Sequence, residues 1–324
     1  MTEMYDVVAL GELLIDFTPA GLSPAGNVLF ERNPGGAPAN VLSAVSKLGG
    51  SAAFIGKVGN DQFGHFLQQV LHASKIETKG LRFSEMVNTT LAFVHLDESG
   101  DRSFSFYRKP GADTMLEEKD LDDGLIVQGY IFHFGSLSMT NEPSRSATLK
   151  AVEYAKSRGK IISYDPNWRP LLWDNARAAK EGMLLGFKYA DVVKLSEIEL
   201  ELLTGDSDLY LGSQNLLDKG VKLVIVTLGP KGCFYRHHSG SGLLRTYDTK
   251  VIDTTGAGDA FLGGLLYQLS RKRCTLDQLK PEVIDEMLDF SNAVGALCAS
   301  GRGAIPSMPS IEDVQRCIKE IPKL

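Results

Sequence analysis

Cysteine is scarce in this sequence, and the few cysteines are far apart. The 324 residues include four, Cys233, Cys274, Cys298 and Cys317, and no two of them form a C-x-x-C pair. This spacing argues against a zinc ribbon and against the disulfide framework of a secreted protein. Residues 1–6 are polar and lead directly into a strand-like run, so we expect no signal peptide. The expected location is therefore a reducing cytoplasm.

Basic clusters and long apolar runs are also missing. The formal charge is -6 at pH 7, and lysines and arginines form no block along the chain. Nucleic acids and anionic membranes are therefore not expected as partners. No apolar stretch approaches the roughly 20 residues that a membrane-spanning helix needs. With 43% hydrophobic and 23% charged residues, the chain has the composition of an ordinary globular protein, in which any anion site must be local.

Two common sets of phosphate-binding motifs are absent as well. The sequence contains no G-x-x-x-x-G-K-[ST] loop, which excludes a Walker-type phosphate cradle. It also lacks the H-R-D and D-F-G motifs of protein kinases. An anion site in this chain must be built from other residues.

What the sequence does contain is a regular alternation of strand-like and helical segments. Strand-like apolar runs lie at 7–10, 52–55, 130–134, 161–164, 192–195 and 223–227, and helical patterns at 37–48, 62–73, 144–157 and 198–203. Apolar strands separated by amphipathic helices predict a parallel sheet that is covered by helices on both faces. Such sheets bind ligands at the carboxyl ends of their strands.

Two stretches interrupt this alternation. Residues 102–108 alternate polar and apolar side chains, and the turn residues 97–100 separate them from the strand-like run 91–96. Together with 13–17 and 28–31 they predict a small antiparallel sheet built from two insertions. One face of this sheet is in a position to cover the ligand edge as a lid. The alternative is an ordinary half-buried hairpin whose arginines lie in solvent.

The most informative segment is D-T-T-G-A-G-D at 253–259, followed by the apolar run 260–269. This pattern predicts a glycine turn that leads into a helix, whose first N–H groups are available to an anion. Gly256 and Gly258 let the anion approach the backbone closely. Asp259 would either take a proton from a hydroxyl that attacks a phosphate or simply cap the helix. The residues of this segment alone leave both interpretations open.

A second segment, N-P-G-G-A-P-A-N at 33–40, favours the interpretation of Asp259 as a base over that of a helix cap. Together with D-T-T-G-A-G-D-A-F it resembles the paired signatures of the ribokinase-like (PfkB) family of sugar kinases, and within it the fructokinases. The resemblance runs from G-E-L-L-I-D at 11–16 to G-A-I-P-S at 303–307. It implies a three-layer α/β fold, with a central, mostly parallel sheet between helices and a small antiparallel β-sheet lid. The main domain would comprise 1–11, 35–87 and 111–324, and the lid 12–34 and 88–110.

The resemblance implies ATP-dependent phosphorylation of a free sugar on its primary hydroxyl, with D-fructose as the favoured acceptor. Asp259 would be the base, and the turn that stabilises the transferring phosphate would comprise Gly256, Ala257 and Gly258. The sugar would be bound by Asp16, Gly35, Gly36 and Asn40. The lid residues that close over it would be Arg102, Phe104, Phe106 and Arg108. Arg169 would lie near the sugar or the terminal phosphate, with a structural salt bridge as the alternative.

The resemblance also implies sites for ATP and for cations. Lys194 and Glu199 match a K-x-N-x-x-E element whose glutamate organises Mg²⁺ through water, although Ser196 replaces the usual asparagine. The loop along the ATP phosphates and ribose would contain Thr227, Gly229, Lys231 and Gly232. Asn292 would lie near the adenine edge, or be a helical polar residue without a ligand. A monovalent cation, K⁺, would be bound by Asp253, Thr255, Cys298, Gly301, Gly303 and Ser307.

Two alternatives to a fructose kinase remain open from the sequence. The same fold also phosphorylates other acceptors, such as 2-keto-3-deoxygluconate, ribose or a nucleoside. A protein of a different class would be a sugar-binding regulator that has kept the fold and lost catalysis.

We also expect that the lid, with an apolar outer edge, is suited to form a homodimer.

Overall fold

The computed structural model describes residues 4–96 and 102–324, and for residues 96 and 102–104 it describes the backbone alone. The strands are β1 (Tyr5–Leu10), β2 (Leu14–Leu22), β3 (Val28–Gly35), β4 (Ala52–Gly59), β5 (Ile76–Ser84), β6 (Leu91–Leu96), β7 (Arg102–Tyr107), β8 (Gly129–Gly135), β9 (Ile161–Asp165), β10 (Val192–Ser196), β11 (Leu223–Thr227), β12 (Cys233–His237) and β13 (Gly240–Leu244). The helices are α1 (Ala37–Lys47), α2 (Gln62–Ala73), α3 (Asp123–Gln128), α4 (Ser144–Ser157), α5 (Ala176–Phe187), α6 (Glu197–Thr204), α7 (Leu209–Asp218), α8 (Ala257–Lys272), α9 (Pro281–Ala299) and α10 (Ile311–Glu320).

Nine of these strands form one large sheet in the order β13-β12-β11-β10-β9-β8-β1-β4-β5. Neighbouring strands from β11 to β5 are parallel, whereas β12 and β13 continue the sheet antiparallel. Successive side chains of a strand point to opposite faces, so each central strand supplies two hydrophobic cores. Val7 and Ala9 of β1 pack in the core with α1, α2, α8 and α9, and Val8 and Leu10 in the core with α3 to α7. The predicted three-layer architecture is confirmed.

The carboxyl ends of the parallel strands meet at one edge of the large sheet. Asp165 ends β9 and Ser196 ends β10 at this edge, and Glu12 follows two residues after β1. The sheet therefore collects polar residues from distant parts of the sequence at the edge where such folds bind ligands.

None of the helices in residues 4–96 and 102–324 combines the length and the apolarity that a membrane span requires.

The small sheet has the order β3-β2-β6-β7 and is built from the two predicted insertions. Its two hairpins, β2–β3 and β6–β7, are antiparallel as expected. The small antiparallel sheet is therefore confirmed, with one parallel seam between the hairpins, from Ile15 opposite Leu91 to Phe17 opposite Phe93. The seam is parallel because β2 and β6 are each the first strand of an insertion and leave the same edge of the main sheet. The domain boundaries themselves stay a prediction.

One face of the small sheet is fixed by aromatic contacts. Phe17 stacks on Phe93 with ring centroids 4.7 Å apart and meets Phe63 of α2 edge-on at 5.8 Å. The guanidinium of Arg32 lies over the ring of Phe66, 3.7 Å from its centroid. These contacts hold the small sheet against α2 while its other face lines a cleft.

Candidate active site

A cleft of about 690 Å³ separates the small sheet from the carboxyl edge of the large one. Its wall is formed by residues of both insertions, of the loop after β9, of β10 and α6, and of the turn before α8. The predicted site residues that line it are Asp16, Gly36, Asn40, Phe106, Arg169, Lys194, Glu199, Asp253, Thr255, Gly256, Gly258, Asp259 and Gly303. Sequence positions more than 200 residues apart are thus brought into one cavity.

The turn before α8 leaves an uncapped helix end at the cleft. Gly256 has a φ of 76° and makes no side-chain cap, and a Cβ added to it would collide with Ala304, so only glycine fits this position. The N–H of Ala257 already donates to the Thr254 carbonyl at 3.2 Å. Within the described residues, no hydrogen bond engages the N–H groups of Gly256 and Gly258. These two groups remain available to an anion.

Asp259 does not act as a cap. Its carboxylate accepts a hydrogen bond from Nδ2 of Asn40 at 2.8 Å, and this partner lies 219 positions away on α1. Burial raises the pKa of Asp259 to about 6, with the Lys194 ammonium opposing the shift and the Asp165 carboxylate adding to it. A carboxylate with this pKa is mostly ionised at neutral pH and is still basic enough to accept a proton in a transition state.

The paired glycines let the Asp16 carboxylate and the main chain of Glu12 approach the backbone closely. A Cβ on Gly35 would collide with the Asp16 carboxylate, and a Cβ on Gly36, whose φ is 119°, would collide with the Glu12 carbonyl. Gly36 is also the residue before α1. The glycine pair therefore stands at the start of the helix and leaves room for both close approaches. Burial raises the pKa of Asp16 to about 6, with the Arg169 guanidinium lowering it and the Asp259 carboxylate adding to the rise.

A buried lysine lies beside the anion turn. Nζ of Lys194 forms an ion pair with Oδ2 of Asp165 at 2.6 Å, and both side chains are almost fully buried. A Cβ on Gly258 would lie 3.2 Å from this Nζ. Burial disfavours the charged form of Lys194, but the carboxylates of Asp165, Glu199 and Asp259 outweigh it and raise the pKa of the lysine. The ammonium therefore remains charged where a phosphate would meet the turn.

Ser196 has a structural role that explains its fit in place of asparagine. It is the N-cap of α6, where its hydroxyl accepts from the Glu199 N–H at 3.3 Å and donates to Oε2 of Glu199 at 2.9 Å. The Ser196 N–H donates to the same Oε2 at 2.7 Å, and the Trp168 N–H donates to Oε1 at 2.6 Å. The carboxylate of Glu199 is thus held rigidly at the cleft wall.

Arg108 does not lie on a strand of the lid sheet, and its contacts contradict the prediction that it is a sugar ligand. Strand β7 ends at Tyr107, so the alternation that assigned Arg108 to the lid face does not extend to it. Its side chain is 4% exposed, and its nitrogens donate to the Asp113 carboxylate at 2.6 and 2.7 Å, to the Leu137 carbonyl at 2.7 Å and to the Thr140 hydroxyl at 2.9 Å. The side chains of Arg102 and Phe104 lie outside the described residues.

Replacing Arg108 with methionine should lower the free energy of unfolding by about 3–5 kcal/mol, because Asp113 would keep a buried charge without its partner. Chemical denaturation of the purified variant measures this change. The matched control is Arg177→Met, which removes an exposed arginine paired with Glu181 on α5 and should leave the melting temperature nearly unchanged. An Arg108→Met protein of normal stability with a raised KM for the sugar would show that the lid assignment was right after all.

Apart from Lys194 and Glu199, the predicted nucleotide residues lie near the same edge but do not line the cleft. The Thr227 hydroxyl donates to the Leu195 carbonyl at 3.2 Å, and Gly229 to Lys231 form a single turn after β11. Gly232 has a φ of 92°, and a Cβ there would collide with the Leu244 carbonyl. The buried Asn292 donates from Nδ2 to the Arg245 carbonyl at 3.2 Å and so ties α9 to the segment after β13. Their contacts with a nucleotide stay a prediction.

Two loops of the predicted cation site come together beside the anion turn. Oδ1 of Asp253 accepts from the N–H and the hydroxyl of Thr255 at 3.0 and 2.7 Å, and Oδ2 accepts from the Gly303 N–H at 3.0 Å. Sγ of Cys298 lies 4.0 Å from the Thr255 carbonyl. A Cβ on Gly301 would collide with the Ser307 hydroxyl. This packing juxtaposes the predicted residues, and their binding of K⁺ stays a prediction.

The sequence analysis assigned no role to two acids of the site, although both lie in segments that resemble the family. Asp165, the partner of Lys194, is the last residue of β9, and Glu12 follows β1. Burial raises the pKa of Glu12 to about 7, with the Arg108 guanidinium lowering it and the Asp113 carboxylate adding to the rise. Both acids stand at the carboxyl end of a predicted strand, which is the signal that would have found them.

Known proteins are similar to this chain in sequence and in fold. The chain matches the pfkB family carbohydrate kinase profile over residues 4–311. It is 45% identical to Fructokinase-2 of Zea mays over 315 residues, and this alignment covers 96% of this chain and 93% of the maize protein. A crystal structure of fructokinase with bound ATP from Xylella fastidiosa has a TM-score of 0.91 at 35% identity and covers 98% of this chain and 99% of that one. A fructokinase double mutant from Vibrio cholerae O395, in a fructose, ADP and potassium ion bound form, has a TM-score of 0.86 at 35% identity, with coverage of 98% and 99%. On sequence and fold together, the chain belongs to the pfkB family of carbohydrate kinases.

Proposed function

We propose that this protein is a fructokinase, which transfers the terminal phosphoryl group of ATP to the C6 hydroxyl of D-fructose. The observation that carries the proposal is the position of Asp259, an acid with a pKa of about 6 beside two available backbone N–H groups. The fructokinase names of the relatives in maize, Xylella and Vibrio support the choice of acceptor.

The residues of the cleft divide the work of phosphoryl transfer. Asn40 orients the Asp259 carboxylate, which takes the proton from the attacking sugar hydroxyl as its oxygen bonds to phosphorus. The N–H groups of Gly256 and Gly258 and the ammonium of Lys194 stabilise the negative charge on the transferring group. ADP leaves with the electron pair of the broken P–O bond. Val94 and Phe106 of the lid line the cleft and keep water from competing for the phosphoryl group.

We propose two cation sites near the turn, one for Mg²⁺ and one for K⁺. We propose that Glu199 accepts hydrogen bonds from water molecules of a Mg²⁺ ion held mainly by the ATP phosphates, since the described residues contain no cluster of three potential metal ligands. When bound, Mg²⁺ neutralises phosphate charge. We propose that K⁺ is held by carbonyl and hydroxyl oxygens of the loops at 253–255 and 298–307. The potassium ion bound form of the Vibrio fructokinase supports this second site.

Arg169 is proposed to bind the sugar or the terminal phosphate. Its exposed side chain lines the cleft, and its positive charge lowers the pKa of Asp16 and that of Asp259. Its Nη1 donates only to the neighbouring Trp168 carbonyl at 3.0 Å among the described residues. The structural salt bridge that would be the alternative does not form there.

Two further proposals concern the whole protein. We propose a homodimer through the lid, whose outer edge exposes the apolar side chains of Leu22 and Tyr107, each to 66%, and of Val28, to 58%. Such edges are commonly covered by a second copy.

We also propose a cytoplasmic location, on the basis of the free cysteines Cys233, Cys274, Cys298 and Cys317.

The function is tested by measuring ADP release with a panel of acceptors. D-Fructose should give the highest kcat/KM, by about 10²-fold over D-glucose, D-ribose, 2-keto-3-deoxygluconate and adenosine, because hydrogen-bonding sites reject acceptors that leave polar groups unpaired. Preference for another acceptor would keep the kinase and replace the substrate. Sugar-dependent thermal stabilisation without ADP release from any acceptor would instead identify a sugar-binding regulator.

A further inference from the structure

One buried carboxyl oxygen at the cleft has no hydrogen-bond partner among the described residues. Glu12 is 3% exposed, and its Oε1 accepts from the Ala37 N–H at 2.8 Å, which replaces the missing side-chain cap of α1. Its Oε2 is buried and unpartnered among the described residues. Burying a carboxylate oxygen without a partner is costly, so a native protein that keeps one there has a partner to supply.

The surroundings of Glu12 indicate what that partner is. Glu12 lines the same cleft as Asp16, Asn40 and Asp259. The other unpartnered buried oxygen of the cleft is Oδ1 of Asn40, whose Nδ2 is committed to Asp259. Two hydrogen-bond acceptors are therefore left open on side chains next to the amino terminus of α1. A polyhydroxylated ligand offers the O–H donors that two such acceptors require.

Within residues 4–96 and 102–324, Oε2 forms no ion pair with a basic side chain. The basic side chain whose charge acts on Glu12 is Arg108, and its guanidinium already donates to Asp113, Leu137 and Thr140. Glu12 is also fixed in place, because its main-chain carbonyl packs against the Cα of Gly36 and its Oε1 binds α1. The free oxygen is consequently held at a constant position, buried within the wall of the cleft.

We propose that Oε2 of Glu12 accepts a hydrogen bond from a second hydroxyl of the acceptor sugar, one that is not phosphorylated. Glu12 is then a sugar-binding residue that joins the start of α1 to the acceptor and selects acceptors with a hydroxyl at that position. This inference rests on the proposed sugar kinase function and adds a residue to its acceptor site.

The variant Glu12→Gln separates binding from folding. Glutamine keeps an Oε1 that accepts from the Ala37 N–H, and it replaces the acceptor Oε2 with an NH₂ donor. The KM for fructose should rise by about 10- to 100-fold, while the KM for ATP and the melting temperature change little. The control Glu201→Gln, on the exposed face of α6, should leave every one of these values unchanged. Glu12→Ala, which also removes the bond to α1, should lower the melting temperature.

Deoxy sugars identify the hydroxyl. The wild type should lose about 10- to 100-fold in kcat/KM on one of 1-deoxy-, 3-deoxy- and 4-deoxy-D-fructose, and Glu12→Gln should lose most of that discrimination for the same sugar only. An unchanged fructose KM in Glu12→Gln, or equal discrimination in both enzymes, would overturn the proposal. If fructose is not the acceptor, the proposed function fails separately, and the same comparison is made with the best acceptor of the panel and its deoxy forms.

Discussion

Replacing Asp259 with asparagine should lower kcat by about 10²- to 10⁴-fold, which is the usual contribution of a positioned general base. Asparagine has nearly the same shape and still accepts a hydrogen bond from Asn40, but it cannot take a proton from the sugar hydroxyl. The KM values for sugar and ATP should therefore change little. Initial-rate measurements of ADP release, together with ligand-dependent thermal shifts, give both quantities.

The control for this experiment is Asp208→Asn. Asp208 is the exposed N-cap of α7, where asparagine caps equally well, so neither rate nor stability should change. If Asp259→Asn retained turnover and lost only stability, the carboxylate would be a structural element of α8 and another group would serve as the base. The open helix end and the bond from Asn40 argue for the catalytic role.

Replacing Lys194 with methionine should affect both folding and turnover. The free energy of unfolding should fall by about 3–5 kcal/mol, because Asp165 would keep a buried charge without its ion-pair partner. The kcat should also fall by about 10²- to 10³-fold, because the turn would lose the ammonium beside Gly258. The acid limb of the pH–rate profile should move to higher pH, since Lys194 lowers the pKa of Asp259.

A second substitution separates the two roles of Lys194. In the double variant Lys194→Met, Asp165→Asn, the stranded charge is removed, and the asparagine can still accept from the Asn167 N–H as Oδ1 of Asp165 does at 3.0 Å. Stability should therefore recover while turnover stays low. Recovery of both would make Lys194 a purely structural residue. The control Lys222→Met removes a half-exposed lysine paired with Asp277, and it should change neither property appreciably.

Elements with a strong local pattern were predictable from the sequence. Helices α2 and α4 and strand β11 have the predicted bounds, because each carries an apolar pattern with a single period over its whole length. The strands β5, β12 and β13 were not predicted. They lie at or next to the ends of the large sheet, where burial is incomplete and the sequences contain glycine and polar residues. Helix α10 was missed although its capping box, Ser310 with Asp313, is a readable start signal.

The sequence by itself determined the parallel sheet and the anion turn. Both depend on local properties: apolar strands favour burial on two faces, and glycine permits the φ of 76° that Gly256 adopts. It also put Asp259 in the first turn of α8 but left open whether the acid caps the helix.

Only the tertiary structure decided which partner each polar side chain takes. Asn40 bonds to Asp259, Arg108 is committed to Asp113, Ser196 caps α6, and Glu12 keeps one oxygen free. The physical reason is that hydrogen bonds and ion pairs act over a few ångströms, whereas Asn40 and Asp259, which are bonded in the cleft, lie 219 positions apart in the chain. Packing of the two sheets sets those distances, and with them the chemistry of the cleft.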